Sequence, residues 1–470
     1  MTKTLDAILI NPCLFKKGRN IWKGIDSCFP SLGLASIAAY VRQKGFRVKI
    51  IDAPALRISV ESFENYLRDN YSNEQPRYVS FTAVTPSIRN AYAMAKIVKK
   101  IYPQTKIVFG GVHATVLSKE VIGQDEVDIV VRGEGEITFY EILSNRELSG
   151  IDGIVYQKDS QIIFNKERER IKNLDDLPWP AYNLLPMDKY YPAKGSYQRL
   201  PAMSMLTGRG CPGQCTFCNK TLGKLMIFRS AQSLIEEIKM LIKDYGIKQI
   251  MFYDDTFTVY KENVRKFCHL LLEQNIDISW CCFSRVDYVD LDLLKLMKKA
   301  GCHQIMYGIE SGDQNVLDSI NKNITLNLAR EVVKLTKLAK IDVRGAFMVG
   351  NPIETRETVL RTLDFALELD PDVAIFNITT PYPGTQMFEE AERKGMILTY
   401  NWDDYDLSNP VMKLENLSQK EISDLYRYCF KKFYLRPKYI LMRLKRLLSR
   451  PSEIGLAFNS LKAVFSFLKK

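Results

Sequence analysis

Three closely spaced cysteines constrain this chain more than any other feature of its sequence. Cys211, Cys215 and Cys218 have the spacing C-x3-C-x2-C and follow directly after the apolar segment 203–206. Three thiolates held this close together can wrap one face of an iron–sulfur cube, which leaves one iron without a cysteine. Soft thiolates also select zinc, but zinc needs a fourth ligand, and Asn219-Lys220 supplies none. The motif therefore predicts a [4Fe–4S] cluster at the end of a strand.

Apolar strands alternate with amphipathic helices on both sides of this motif. The sequence predicts strands at 7–11, 47–52, 78–82, 106–109 and 129–131, and again at 203–206, 249–253, 278–283, 304–309, 342–349 and 373–379. Such alternation is typical of parallel α/β sheets. We expect a doubly wound, Rossmann-like domain over 1–145 and a partial (β/α)6 barrel over 199–417. Residues 146–198 contain several Gly and Pro breaks and are expected to form a hairpin and linker.

The cysteine motif and the segments after it resemble the radical S-adenosylmethionine (SAM) superfamily, in which an aromatic residue, here Phe217, precedes the last cysteine. The resemblance implies that Cys211, Cys215 and Cys218 are the catalytic, cluster-binding residues. It also implies that the open iron binds SAM and that the reduced cluster cleaves SAM to a 5′-deoxyadenosyl radical. The implied SAM contacts are Phe217, Asp254, Asp255, Ser284, Arg285 and Glu310. Taken alone, Asp254-Asp255 fits a helix cap equally well, and Glu310 fits a plain ion pair.

The first domain resembles the cobalamin-binding class of radical SAM proteins in segments 29–34, 80–86, 110–115 and 131–136. The implied cobalamin contacts are Leu32, Gly33, Thr82, Thr85, Gly110, Gly111, His113, Gly133 and Glu134. Where other cobalamin proteins carry Asp-x-His-x-x-Gly, residues 52–57 contain no histidine, so this motif supplies no cobalt ligand. His113 is expected to line the pocket of the nucleotide tail, with a loop histidine bonded to backbone as the alternative. A Rossmann-like module without cofactor stays open, whereas a nicotinamide or flavin site lacks its G-x-G-x-x-G turn.

Together the two resemblances imply methylation of an unactivated carbon. One SAM would methylate the cobalt and another would supply the radical. The implied partners are a small-molecule, lipophilic substrate and an electron donor such as flavodoxin or ferredoxin. Relatives with this domain order include hopanoid methylases and the anaerobic cyclase of magnesium-protoporphyrin ester, so oxidative cyclisation is one alternative. A corrinoid-binding carrier or sensor with an inactive barrel is another. A methylthiotransferase acting on RNA is disfavoured, because only Cys13 and Cys28 precede the linker.

The final segment, 418–470, is expected to be a basic, helical tail. From Arg427 to Lys470 it has twelve Lys and Arg and one acid, Glu453, and so carries most of the +12 net charge of the chain. Large apolar residues alternate with the basic ones, which favours an anionic membrane surface over nucleic acid. No run of about 18 apolar residues indicates a spanning helix. Ten cysteines without a secretory pattern favour the cytoplasm, with the tail resting on the inner face of the membrane.

Overall fold

The computed structural model describes residues 3–14, 27–193 and 195–442. A seven-stranded, mostly parallel sheet and a six-stranded parallel sheet, each covered by helices, form the body of the molecule. The fold is therefore α/β, as the alternation of strands and helices predicts.

The first sheet has seven strands in the order β2-β1-β3-β4-β5-β6-β7. They are β1 Lys3–Asn11, β2 Val48–Asp52, β3 Glu74–Thr82, β4 Lys106–Gly110, β5 Ile129–Val131, β6 Ile154–Lys158 and β7 Gln161–Phe164. The first five run parallel, in the order of a doubly wound domain. The hairpin β6–β7 pairs antiparallel with β5. It thus extends the first sheet, whereas the sequence analysis had grouped it with the linker.

Amphipathic helices connect these strands. They are α1 Leu32–Gln43, α2 Ala53–Leu56, α3 Val60–Tyr71, α4 Ile88–Ile101, α5 Val112–Val116, α6 Ser118–Ile122 and α7 Glu136–Leu143. Helix α3 shows why they form where they do. Ser59 and Ser62 close a capping box at its start, and Phe63, Leu67 and Tyr71 bury one face at four-residue intervals.

The second sheet is an all-parallel, six-stranded partial barrel in the order β15-β14-β13-β12-β11-β8. Its strands are β8 Ala202–Met205, β11 Gln249–Phe252, β12 Ser279–Ser284, β13 Cys302–Glu310, β14 Asp342–Val349 and β15 Val373–Ile378. A small ribbon, β9 Gly208–Arg209 with β10 Ile227–Phe228, lies between the first two of them in sequence. Polar side chains at the carboxyl ends of parallel strands meet at one edge of such a barrel.

Helices cover the outside of the barrel. They are α8 Ala231–Tyr245, α9 Lys261–Glu273, α10 Leu291–Lys299, α11 Gln314–Ser319, α12 Leu326–Leu338, α13 Arg356–Leu369, α14 Gln386–Arg393 and α15 Gln419–Tyr434. Most begin at a side chain that accepts a backbone N–H of the first turn: Ser230, Asp290, Asp313, Thr325, Thr355, Thr385 and Ser418.

The predicted basic tail begins with α15, which packs on the barrel. Ile422, Leu425 and Phe433 of this helix are buried, and Phe430 lies edge-on to Phe376 of β15. Beyond this helix, Arg436 and Lys438 pair with Asp370, and residues 443–470 of the predicted tail, including Phe465, Phe467 and Leu468, lie outside the described residues. Within the part of the chain that is described, no helix has both the length and the apolar content needed to cross a membrane.

Candidate active site at the facing strand ends

The cysteine motif lies in the loop after β8, and Asp254 anchors the start of that loop. Both backbone N–H groups of Thr207 and Gly208 donate to Oδ1 of Asp254 at 2.7 Å. Asp254 is buried, and burial raises its pKa to about 6 although these two N–H groups oppose the shift. Sequence analysis predicts a SAM contact for Asp254; the structure shows its Oδ1 holding the cysteine loop at the barrel edge.

The three motif cysteines are free thiols on one short loop. Cys215 is buried, Cys211 is partly buried and Cys218 is exposed. A hydrogen bond from Cys218 lowers the pKa of Cys215 to about 6, and the same bond raises the pKa of Cys218. Among the described residues, no three or more His, Cys, Asp or Glu side chains converge on one point as a single metal ion would require. A cube takes one thiolate per iron, so these sulfurs need not converge, and the loop fits an iron–sulfur cluster.

Two buried cations stand beside Cys215. The Arg285 guanidinium lies 3.8 Å from Cys215 Sγ and is held by Asp287 at 3.0 and 2.9 Å and by the Lys322 carbonyl at 3.0 Å. The charges of Lys322 and Arg285 also help to lower the pKa of Cys215. Cations at this distance stabilise thiolates, which are the form that binds iron.

Glu310 forms a buried ion pair with Lys322, with Nζ to Oε1 at 2.8 Å. Its backbone has a left-handed φ of 69°, next to a bulge in the pairing of β13 with β14. A side chain on Gly308 would overlap the Glu310 carboxylate and would come within 2.9 Å of Lys322 Nζ. Lys322 also lies 6.0 Å above the ring of Phe217, so this cluster joins β13 to the cysteine loop.

The remaining predicted SAM contacts surround this cluster in different ways. Asp255 has an exposed side chain, whereas Ser284 is buried and its hydroxyl bonds to Thr258. Phe217 is partly buried against the apolar core. The structure thus gathers Phe217, Arg285 and Glu310 around Lys322 and Cys215. The side chains of Ser284 and Asp254 instead bond to neighbouring loop residues. The SAM-binding roles themselves stay predictions.

The predicted cobalamin contacts lie at the carboxyl edge of the first sheet. Gly111 has a φ of 92°, and a side chain there would come within 2.8 Å of the Ala83 backbone and 2.9 Å of the Thr82 hydroxyl. Gly110 ends β4 immediately before it. Gly133 N–H donates to the Thr115 hydroxyl at 3.1 Å, and a Cβ there would meet no atom within 4 Å. These bare turns can lie against the face of a large, flat cofactor.

Leu32 and Gly33 begin α1 and line a cleft between the two sheets with Leu206 and Gly208 of the barrel. The cleft has a volume of about 70 Å³. Leu32 is partly buried and Gly33 is exposed, and their contact with cobalamin stays a prediction.

His113 is packed inside the first domain, with no exposed surface. Its Nδ1 lies 3.1 Å from the buried Thr85 hydroxyl, its Nε2 lies 3.6 Å from Glu120, and its ring is edge-on to Trp402. The alternative prediction gave the His113 ring a backbone partner, whereas its observed partners are side chains. Thr85 and His113 thus support the strand-end loops from within and form no part of an open wall.

Buried charges join the carboxyl ends of the two sheets. Arg209 donates to Glu134 and to Glu136 at 2.6 Å each, and their side chains are 17%, 6% and 3% exposed. The second oxygen of Glu134 accepts the Ile171 N–H at 2.7 Å. Both oxygens of Glu134 are therefore used in protein contacts, which gives this predicted cobalamin residue a role in joining the domains.

Aromatic residues also join the first domain to the barrel. Phe29, from the segment before α1, lies 4.9 Å from the ring of Tyr253, and Tyr253 lies 4.8 Å from Phe283. Sequence analysis missed Tyr253, Arg209 and Lys322 as site residues. The sequence could have indicated only Tyr253 and Arg209, because each lies within two residues of a recognised motif.

Two family models match the chain. The Radical SAM superfamily model matches residues 205–366, and the B12 binding domain model matches residues 23–143. An uncharacterized methyltransferase of Pyrococcus horikoshii is 39% identical over 419 residues, covering 88% of this chain and 89% of the relative. The anaerobic magnesium-protoporphyrin IX monomethyl ester cyclase of Rubrivivax gelatinosus is 26% identical, covering 88% of this chain and 75% of the cyclase.

A solved structure shares the fold of the whole body. It is the radical S-adenosylmethionine methyltransferase TsrM from Kitasatospora setae, with cobalamin and a [4Fe-4S] cluster bound. The TM-score is 0.68 at 16% sequence identity, covering 92% of this chain and 82% of TsrM.

Proposed function

The chain belongs to the B12-binding radical SAM family, and from this premise we propose that it transfers a methyl group to an unactivated carbon of a small-molecule substrate. The observation that carries the proposal is the meeting of the two carboxyl edges. Arg209, two residues before the first motif cysteine, binds Glu134, which follows the bare turn at Gly133. A cluster on the cysteine loop and a corrinoid on the glycine turns would thus face the same cleft.

When bound, the cluster, SAM and cobalamin would supply an electron, a 5′-deoxyadenosyl radical and a methyl group. Cys211, Cys215 and Cys218 would hold the cluster, and Arg285 and Lys322 would stabilise its thiolates and attract the SAM carboxylate. Asp254 fixes the start of the loop through its two N–H bonds. Phe29, Tyr253 and Phe283 form an apolar wall that would exclude water from the reacting atoms.

The test is anaerobic purification from cells supplied with cobalamin, followed by iron, sulfide and cobalt analysis. We expect about four irons and one cobalt per chain, and both S-adenosylhomocysteine and 5′-deoxyadenosine on incubation with SAM and a reductant. Cys215→Ala should lose the iron and both products. Cys268→Ala removes a buried thiol from α9, far from the loop in sequence, and should lose neither.

Three results would redirect the assignment. Four irons without cobalt would refute the corrinoid and the methylation with it. 5′-Deoxyadenosine without S-adenosylhomocysteine would favour oxidative cyclisation, the reaction named for the Rubrivivax relative. Iron and cobalt with neither product would favour a carrier or sensor.

The finer assignments rest on the sequence and are part of the same proposal. The domains would be 1–145 for cobalamin, 199–417 for the radical SAM core and 418–470 for the basic tail. The excess of Lys and Arg in the tail supports contact with an anionic membrane at the inner face, and with it a lipophilic substrate. Flavodoxin or ferredoxin would donate the electron. Sedimentation with vesicles of anionic or neutral lipid would test the membrane contact.

A further inference from the structure

The lumen of the partial barrel is closed at its amino-terminal end. Residues 195–199 cross this end, where Gln249 accepts the N–H groups of Gln198 and Arg199 at 2.8 and 3.2 Å. Gln249 and Gln304 donate to the carbonyls of Ser196 and Gly195, both at 3.3 Å. These bonds pair both glutamine amides with the backbone of residues 195–199, which form a plug over this end of the lumen within the described part of the chain.

The next layer of lumen side chains above this plug is only partly buried. Pairing register places Phe283 beside Met306, and Met306 beside Arg344. Gly345 of β14 faces the core outside the barrel, because a side chain there would meet Phe347 and Ile309. Side chains alternate along a strand, so Arg344 points the other way, into the lumen. Phe283, Met306 and Arg344 all keep accessible surface, as does Tyr253. A filled barrel core would bury them.

Above this layer the lumen is lined by very small residues. Gly308 pairs with Ala346, directly above Met306 and Arg344. Glu310, which pairs with Phe347, lies three residues above Arg344, and this corresponds to about 10 Å of strand. The buried pair Glu310–Lys322 fills the space over Gly308, so this pair bounds the lumen above Arg344, beside the cysteine loop.

Arg344 brings a positive charge to the floor of this space. Among the described residues no carboxylate lies within ion-pair distance of Arg344, and its Nε is buried without a hydrogen-bond partner. Burial raises the pKa of Cys281 to about 12, and the positive charge of Arg344 opposes that shift. At the rim, Asn377 Oδ1 is likewise buried without a partner. A partly buried arginine with no acid beside it and a buried, unpartnered Nε is a costly arrangement unless a ligand completes it.

We propose that the barrel lumen binds an anionic group of the substrate, a carboxylate or a phosphoryl group, on Arg344. The apolar body of the substrate lies against Tyr253, Phe283 and Met306, and Asn377 donates to or accepts from a polar group nearer the rim. The reacting carbon then lies about 10 Å above the anion, at the level of Glu310. The reaction in this inference rests on the proposed function, but the binding site for the anion does not.

The test uses two probes that differ only in charge, phenylacetate and phenylacetamide. The cluster- and cobalamin-loaded protein is saturated with SAM, so that the methionyl carboxylate already fills its own site. Binding is measured by ligand-observed NMR. We expect the wild type to prefer phenylacetate by about tenfold, Arg344→Gln to abolish that preference, and Arg344→Lys to retain part of it.

Arg330→Gln is the matched control, because it removes one positive charge from an exposed ion pair with Glu368 on the outer helices. It should leave the preference unchanged. Equal binding of the two probes by the wild type, failure of phenylacetate to bind up to its solubility, or a preference that survives in Arg344→Gln would overturn the inference. Iron, cobalt and 5′-deoxyadenosine, measured on the same preparations, report separately on the proposed function and on the folding of each variant.

Discussion

The buried ion pairs of Arg209 offer the sharpest test of how the two sheets are held together. Arg209→Met keeps most of the side-chain volume but leaves Glu134 and Glu136 buried without their cation. Their side chains are 6% and 3% exposed, so water cannot replace the lost contacts. Removing one partner of a buried pair costs about 3–5 kcal/mol, and we expect a loss of this size in the first transition of urea unfolding.

A surface arginine provides the matched control. Arg68 pairs with Glu64 at 2.8 Å, but its side chain is 54% exposed. Because an exposed pair contributes at most about 1 kcal/mol, Arg68→Met should shift the transition only slightly. An equal effect of Arg209→Met and Arg68→Met would refute the assignment of a joining role to Arg209.

The stability that Arg209→Met loses should depend on pH in a definite direction. Burial acts to raise the pKa of Glu136, but the charge and hydrogen bond of Arg209 outweigh it and lower that pKa. The wild type therefore loses this stabilisation only as the pH falls through the lowered, folded-state pKa. In Arg209→Met only the hydrogen bonds from Ser36 and from the helix backbone still oppose burial, the largest influence on Glu136. We expect burial to prevail and to raise the pKa of Glu136, so that stability is lost as the pH rises. The gap between the two proteins should widen from acid to neutral pH; a gap independent of pH would contradict the argument.

Two further predictions concern single residues. Gly111→Ala should cost about 2–4 kcal/mol of unfolding free energy and lower the cobalt content, because its Cβ would come within 2.8 Å of the Ala83 backbone. The control is Gly45→Ala, which has a φ of 91° and no atom within 4 Å, and it should cost about 1 kcal/mol. Equal unfolding midpoints of the two variants would exclude the clash. Burial raises the pKa of Glu354 to about 7, against the N–H bonds from Asn351 and Gly350, so its ionisation costs stability as the pH rises through that value. Glu354→Gln should therefore be the more stable protein above pH ~8 and match the wild type near pH ~5, as urea unfolding at both values would show; a gain that is equal at both would contradict this.

Local pattern was enough to predict the kind of protein and most of its elements. The spacing of Cys211, Cys215 and Cys218 is a property of one loop, and the 3.6-residue and two-residue periods of helices and strands are set by neighbours in sequence. The six barrel strands were therefore predicted to within a few residues of their observed ends. Gly111, which the resemblance singled out, lies in the turn after β4 and has a φ of 92°.

Contacts between distant segments could not be read in this way. Lys322 meets Glu310 because a bulge and a short helix turn it back, and a lone lysine in sequence carries no sign of that. The hairpin β6–β7 joins the first sheet because β5 has a free edge, which only the folded sheet reveals.

The sequence by itself determined the cofactor chemistry and the order of the α/β units, because both depend on residue types at short spacings. Only the tertiary structure decided which charges lie where. It placed Glu134 on Arg209, 75 residues along the chain, and it left Arg344 unpaired in the lumen among the described residues. The physical reason is that burial and pairing of a charge depend on the dielectric surroundings and on partners brought together by packing, and neither is a property of the local chain.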